Sequence, residues 1–206
     1  MEFKQNVPIY AANAEVVGHL DRVVVNADTK AITHIVVQKG SLLKEERVVP
    51  ISLIAEANDE QIILREDAGD LSGLQQFEEK HYVMSGDAGA GVSPVVSQPL
   101  GGMPGAVVSE SRPKYVKQVE QHIPAGTVAL KEGATVVAAD GKHVGHVEKV
   151  ITDAQAEHAT HLMISKGKLS KEYKLIPIEW VSILGEDEVH LTVAPRQVEE
   201  LEQVPG

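Results

Sequence analysis

The amino-acid sequence predicts an all-β protein: two small antiparallel barrels in tandem, each followed by a short helix. Three observations carry this. First, a pattern running from Val17-Gly18-His19 through Thr33-His34-Ile35-Val36-Val37 and Lys39-Gly40 to Pro50-Ile51 occurs a second time. It returns as Val144-Gly145-His146, Thr160-His161-Leu162-Met163-Ile164, Lys166-Gly167 and Pro177-Ile178. The offset is constant (145 − 18 = 127 for the glycines, 177 − 50 = 127 for the prolines), and no gap is needed from about Ala11 to Leu64. Two units of one kind therefore stand in tandem. Second, hydrophobic residues make up 43% of the chain but aromatics only 3%, so the cores are built from Val, Ile, Leu and Ala, which suits pleated sheet. Third, turn signals recur at short, regular intervals with no helical stretch between them, the pattern of a small barrel.

Taken in order, Val7 to Tyr10 reads as a short strand and Asn13-Ala14 as a turn. Val16 to Asn26 is a long valine-rich strand whose apolar positions change parity between Val17/Leu20 and Val23/Val25. A bulge near Asp21-Arg22 accounts for the shift and bends the strand as a barrel requires. Val144, Val147 and Val150 repeat the shift around Glu148-Lys149, and the charges of both bulges read as solvated. Asn26 to Lys30 forms a hairpin turn, Ile32 to Lys39 the returning strand, and Gly40 to Glu46 a loop. Arg47 to Ala57 is strand with a kink at Pro50, which cannot donate to a ladder, and Gln61 to Arg65 closes the unit. Asp70 then caps a helix with Leu71, Leu74 and Phe77 on one face; in the second unit Pro195 starts a helix with Val198 and Leu201 inward.

Composition divides the chain into a first barrel with its helix at 1–84, a Gly/Pro/Ser-rich linker at 85–122 and a second barrel with its helix at 123–206. Thr127 to Leu130 adds a strand ahead of the second repeat. The formal net charge of −11 belongs to the two folded parts, because the linker is neutral. An acidic surface with few aromatics disfavours nucleic-acid binding. No cysteine is present, which excludes disulfides and thiolate sites and fits a cytoplasmic setting. No apolar run reaches the length of a membrane span, so the protein is expected to be soluble.

The strand with x-G-x-V/L-x-x-V-V/I, the hairpin, T-H-I/L-V/M-V/I, the glycine loop and V-V/L-I-P-I together resemble the PRC-barrel family. That family is known from the photosynthetic reaction-centre H subunit and the C-terminal half of the RimM ribosome maturation factor. The matching residues are Gly18, Leu20, Val23, Val24, Ile35, Val37, Gly40, Val49 and Pro50. In the second copy they are Gly145, Val147, Val150, Ile151, Leu162, Ile164, Gly167, Ile176 and Pro177. The resemblance implies a docking or scaffolding module with no shared catalytic activity, and no cofactor is expected. Fold alone does not carry the partner across.

Two sets of side chains are candidates for binding. The loops after the returning strands carry Lys39, Leu42, Lys44 and Arg47 in one copy and Lys166, Lys168, Leu169, Lys171 and Lys174 in the other. On an acidic protein these are local basic clusters that suit a protein partner. The plainer alternative has the leucines cap the barrel ends while the cations are solvated. The second set is His19, His34, His146 and His161, at equivalent positions, which would serve a metal or small ligand between the barrels. Their plainer reading is strand histidines at a barrel rim. Trp180, in place of Leu53, reads as a barrel plug. No nucleophile elbow, phosphate loop or metalloprotease motif is present, so the expected function is non-catalytic. The expectation is a cytoplasmic interaction or scaffold protein whose two barrels pack with approximate twofold symmetry, with homo-oligomers open to it.

Overall fold

The computed structural model describes residues 1–40, 45–69, 71–84, 115–155, 157–167 and 171–206. Strands dominate. The first half holds β1 (Glu2–Lys4), β2 (Pro8–Tyr10), β3 (Val16–Asn26), β4 (Ile32–Lys39), β5 (Glu45–Pro50), β6 (Ile54–Ala57) and β7 (Ile62–Leu64). After β8 (Glu78–Met84) and β9 (Tyr115–Gln121) come β10 (Thr127–Lys131), β11 (Thr135–Val137), β12 (His143–Thr152), β13 (Ala159–Lys166) and β14 (Glu172–Pro177). The chain ends with β15 (Val181–Leu184), β16 (Glu188–Leu191), a five-residue helix α1 (Pro195–Glu199) and β17 (Gln203–Val204).

Met1–Phe77 and Gln121–Gly206 form one compact unit, and Glu78–Glu120 forms a second. In the second unit β8 pairs with β9, so Tyr115–Gln121, within the span read as linker, is strand. The remainder of that span, 85–114, lies outside the described residues.

Within the large unit two sheets share one strand order. The first runs β5-β4-β3-β2-β7-β6 and the second β14-β13-β12-β11-β16-β15, with β17 beyond β14. Both carry the expected bulge, one between Leu20 and Arg22 and the other between Val147 and Lys149. The glycines of the repeat have a packing reason. A Cβ on Gly18 would lie 2.7 Å from Gln38 O, and one on Gly145 2.7 Å from Ser165 O, so neither position has room for a side chain.

Neither sheet closes on itself among the described residues, so the expected closed ladder is replaced by an open one. The cause is local. Pro50 and Pro177 end their strands, and 3₁₀ turns at Ile51–Leu53 and Ile178–Trp180 follow where continued strand was expected.

The helix expected after the first unit is also absent among the described residues. Asp70, its expected cap, lies outside them. A 3₁₀ turn spans Glu66–Ala68, and Gly69 and Leu71 then take φ of 61° and 65°, which breaks any helical run. The backbone from Gln75 to Phe77 instead satisfies the free edge of β5: Val48 N–H donates to Gln75 O and Phe77 N–H to Glu46 O, each at 2.9 Å. Leu71 and Phe77 are buried as the spacing by three required, but through a turn followed by an extended edge segment and not a helix.

The two halves exchange strands. β1 of the first half pairs with β12 of the second, Phe3 opposite Val150, while β10 of the second pairs with β3 of the first, Leu130 opposite Val23. Both pairings share one register, each 127 residues from its counterpart (130 − 3 = 127, 150 − 23 = 127). Phe3 and Leu130 are 1% and 2% exposed, so each half seals its core with a side chain borrowed from the other. The turn leaving each donated strand needs a left-handed residue: Asn6 at φ 63° and Gly133 at φ 84°. Their N–H groups donate to Leu20 O and Val147 O, respectively. The hairpin tips also meet, with Ile32 N–H donating to Glu157 O and Ala159 N–H to Lys30 O, both at 2.9 Å, around the bridge Ala31–His158. One apolar cluster runs through both halves.

Candidate functional site

The basic loop residues divide by what holds them. Lys39 and Lys166 are exposed at the ends of β4 and β13, Lys166 within 3.4 Å of Glu199. Leu42, Lys44, Lys168 and Leu169 lie outside the described residues. Lys171 is bonded to Glu148 Oε1 at 2.7 Å, and this bond raises the lysine's pKa. Burial works to raise the Glu148 carboxyl, but the hydrogen bonds from Lys171 and the Ser165 hydroxyl outweigh it and hold the carboxyl below its ordinary range.

Arg47 and Lys174, which are equivalent in the repeat, turn out to be structural ties. Arg47 Nη1 donates to Leu74 O at 2.9 Å. Lys174 Nζ donates to Val198 O, Glu199 O and Leu201 O at 3.1, 2.6 and 3.1 Å, capping the end of α1. Each cation thus pins the chain that follows its own strands, and neither is a loose surface charge.

Beside these ties the halves differ. Val144, Ile164 and Val198 floor a cavity of about 310 Å³ in the second half, rimmed by Lys166, Lys174 and Glu199. A cavity in the first half, lined by Val17, Val37 and Leu71, is about 60 Å³, and Leu71 stands where the second half has Val198.

The histidines are not part of any three-ligand group among the described residues. His19 and His146 are exposed, while His34 and His161 are half-buried. His146 Nδ1 lies 3.2 Å from Gly133 O, and His161 Nδ1 lies 3.2 Å from Thr160 Oγ1. Burial lowers the pKa of His34, and its Nδ1 has no hydrogen-bond partner among the described residues. Among those residues no three His, Asp or Glu side chains converge as a metal would require. Trp180 is partly buried against the core.

The bulge charges are where sequence reasoning went astray. Arg22 and Lys149 are not solvated: their side chains are 11% and 9% exposed. Arg22 pairs with Glu186 of the other half and with Asp21, and its guanidinium sits 4.8 Å from the centre of the Phe77 ring. Lys149 pairs with Asp59 of the other half at 2.9 Å and with Glu2 at 2.7 Å. The partners Asp59 and Glu186 obey the same 127-residue offset (186 − 59 = 127) as Arg22 and Lys149. That shared offset between opposite charges was the signal available in the sequence. Near these pairs Gln5 N–H donates to Glu132 Oε2 at 2.8 Å, beside a cavity of about 20 Å³.

Residues 5–71 match the PRC-barrel domain family. Residues 130–199 match a family described as an uncharacterized protein conserved in bacteria (DUF2171). No curated protein matches the chain. The PRC-barrel match begins just after β1, and the second match takes in only the end of β10, so the donated strands fall largely outside both. No helix among the described residues is long and apolar enough to cross a membrane.

Proposed function

We propose that the protein is a non-catalytic interaction or scaffold module of the cytoplasm, built from two PRC-type barrels related by a pseudo-twofold axis. The PRC-barrel match over residues 5–71 carries this reading. The strand order and register that recur 127 residues later support a second barrel of the same type in the other half. Reciprocal strand exchange suits a scaffold: it holds two loop-bearing ends in one rigid frame, so partner contacts are not diluted by independent motion of the halves. The charged groups inside the frame are committed to holding it together, which leaves the exposed ends of β4 and β13 to meet a protein partner. It needs no cofactor, and the acidic surface turns nucleic acid and anionic lipid away.

The test is affinity capture from the native cell with the unmodified chain and with a variant carrying Lys39→Glu and Lys166→Glu. Arg47 and Lys174 are left intact, because their loss would loosen the fold itself. A partner held by the unmodified chain and released by the variant, at unchanged melting temperature, supports the reading. Equal capture by both removes the loops as the docking surface.

A further inference from the structure

Three sets of contacts that join the two halves come in exchanged pairs. β1 on β12 is mirrored by β10 on β3, Lys149–Asp59 by Arg22–Glu186, and Ile32 N–H to Glu157 O by Ala159 N–H to Lys30 O. An interface of this kind is isologous in form: each face contains both the donor strand and the edge that accepts one. Nothing in it distinguishes a second half on the same chain from a second half on another copy.

We infer that this surface also binds a second copy of the chain, giving a closed dimer in which the first half of each copy completes the second half of the other. The chain's own connection, with its β8–β9 pairing, favours the one-copy form. It leaves the large unit at Phe77 and returns by His122, whose N–H donates to Phe77 O at 2.8 Å. In the dimer, His122 of one copy meets Phe77 of the other. Glu78–Glu120 has a contour length on the order of 140 Å at about 3.3 Å per residue. Covalent connection confers on the second half an effective concentration on the order of millimolar, so chains refolded at several tenths of that figure compete with it measurably. Once formed, the dimer persists on dilution, because separation requires both donated strands and both hairpin tips to let go together. This inference is independent of the partner proposed above.

The absence of cysteine gives a clean test. Ala31 and His158 face each other across the interface as an antiparallel bridge. One full-length chain carries Ala31→Cys and another His158→Cys. They are mixed, unfolded, refolded together at high concentration and then oxidised. Exchange places the introduced thiol at position 31 of one copy opposite the introduced thiol at position 158 of the other, and yields a disulfide-linked species of twice the chain mass. The same pair mixed without unfolding, and Ala31→Cys mixed with a chain carrying Asp140→Cys, yield no more than background. A single chain bearing both Ala31→Cys and His158→Cys checks the geometry by closing an internal disulfide. The unmodified chain, followed by light scattering after refolding at rising concentration, supplies a readout free of engineered thiols; a dimer fraction that rises with concentration and survives dilution is expected. Monomer alone at every refolding concentration, or linkage no greater than with the Asp140→Cys chain, overturns the inference.

Discussion

In the first half of the large unit the borrowed side chain is Leu130 and the charge at the bulge is Arg22; in the second half they are Phe3 and Lys149. The backbone around them is unchanged, down to the register of the exchanged strands and the position of each bulge. Side chains have diverged where a neighbour could compensate. Backbone geometry has held where a shift of one residue would turn an entire apolar face outward. At the mouths of the two sheets the backbone differs too: Val198 lies on α1 beside a cavity of about 310 Å³, and Leu71 lies in a turn at φ 65° beside one of about 60 Å³. The two halves share a strand order and differ in what fills it.

The comparison breaks most readily at the exchanged strands. Phe3→Ala removes a ring that is 1% exposed from a strand of only three residues, and a loss of about 3–5 kcal/mol is expected. Leu130→Ala in the counterpart strand should cost about 2–4 kcal/mol. Urea unfolding of both variants checks this. A single transition in each case, read by Trp180 fluorescence and by circular dichroism, shows the halves unfolding as one. Two separated transitions would mean that the exchange does not couple them.

Next in size come the repeat glycines. Gly18→Ala brings a Cβ to 2.6 Å from Val37 Cγ1 and 2.7 Å from Gln38 O; Gly145→Ala brings one to 2.7 Å from Ser165 O and 3.0 Å from Ile164 Cδ1. In both the obstacle includes main chain, which cannot rotate away, so each should lose about 2–3 kcal/mol. Thermal melts of the pair sharpen the comparison, since equivalent backbone predicts nearly equal losses. A loss in one and tolerance in the other would show that the two frames differ.

Much of this frame was legible in the sequence, because its signals are local. The phase change from Leu20 to Val23 located a bulge and Asn26 to Lys30 located a hairpin, whereas Pro50, read as a kink within one strand, ends it. The exchange was not legible. Glu2-Phe3-Lys4 is too short to display alternation, and Lys149, which pairs with Glu2, lies 147 residues away. Leu71, Leu74 and Phe77 imitated a helix because spacing by three also suits a turn followed by an extended edge. Of the candidate site, Lys39 and Lys166 are exposed at the ends of β4 and β13. Arg47 and Lys174 were not recognised as ties, since the carbonyls they hold arrive 27 residues later in the chain.

The ion pairs test whether two unlike solutions do one job. Lys149→Met leaves Asp59 and Glu2, both partly exposed, free to turn to water, so the loss should be about 1–2 kcal/mol, below that of a fully buried pair. Arg22→Met should lose a similar amount, part of it from the Phe77 ring. The pH profile separates the two. Burial works to raise the Asp59 carboxyl, but the hydrogen bond and charge of Lys149 outweigh it and hold it low; burial works to lower Lys149, but Glu2 and Asp59 hold it high. A carboxyl held low adds stability above its unfolded pKa and loses it as pH falls through the folded one. A lysine held high adds stability below its unfolded pKa and loses it as pH rises through the folded one. The pair therefore contributes fully between about pH 4 and 10 and fades on either side. Lys149→Met should flatten both edges of the stability profile, and a profile parallel to that of the unmodified chain would show that this pair is idle.

The smallest effect is the one the molecule itself suggests. Glu132 stands where the first half has Gln5, and the two meet, Gln5 N–H donating to Glu132 Oε2 at 2.8 Å. Burial raises the Glu132 pKa, the Gln5 N–H pulls it back, and the charge of Glu148 raises it again. A carboxyl whose pKa is higher folded than unfolded costs stability wherever it is ionised in the native state. Glu132→Gln keeps an acceptor for the Gln5 N–H while removing that charge, and it makes the two halves alike at this position. Stability at pH 7 should rise by a fraction of a kilocalorie per mole, as befits a half-exposed group. The gain should shrink as pH falls through the ordinary glutamate value of 4.5, where both forms become neutral. Melting curves at pH 7 and pH 4 decide the matter: a gain at pH 7 that vanishes at pH 4 identifies the charge as the cost, whereas a loss at pH 7 would mean that the ionised Glu132 holds β1 in place.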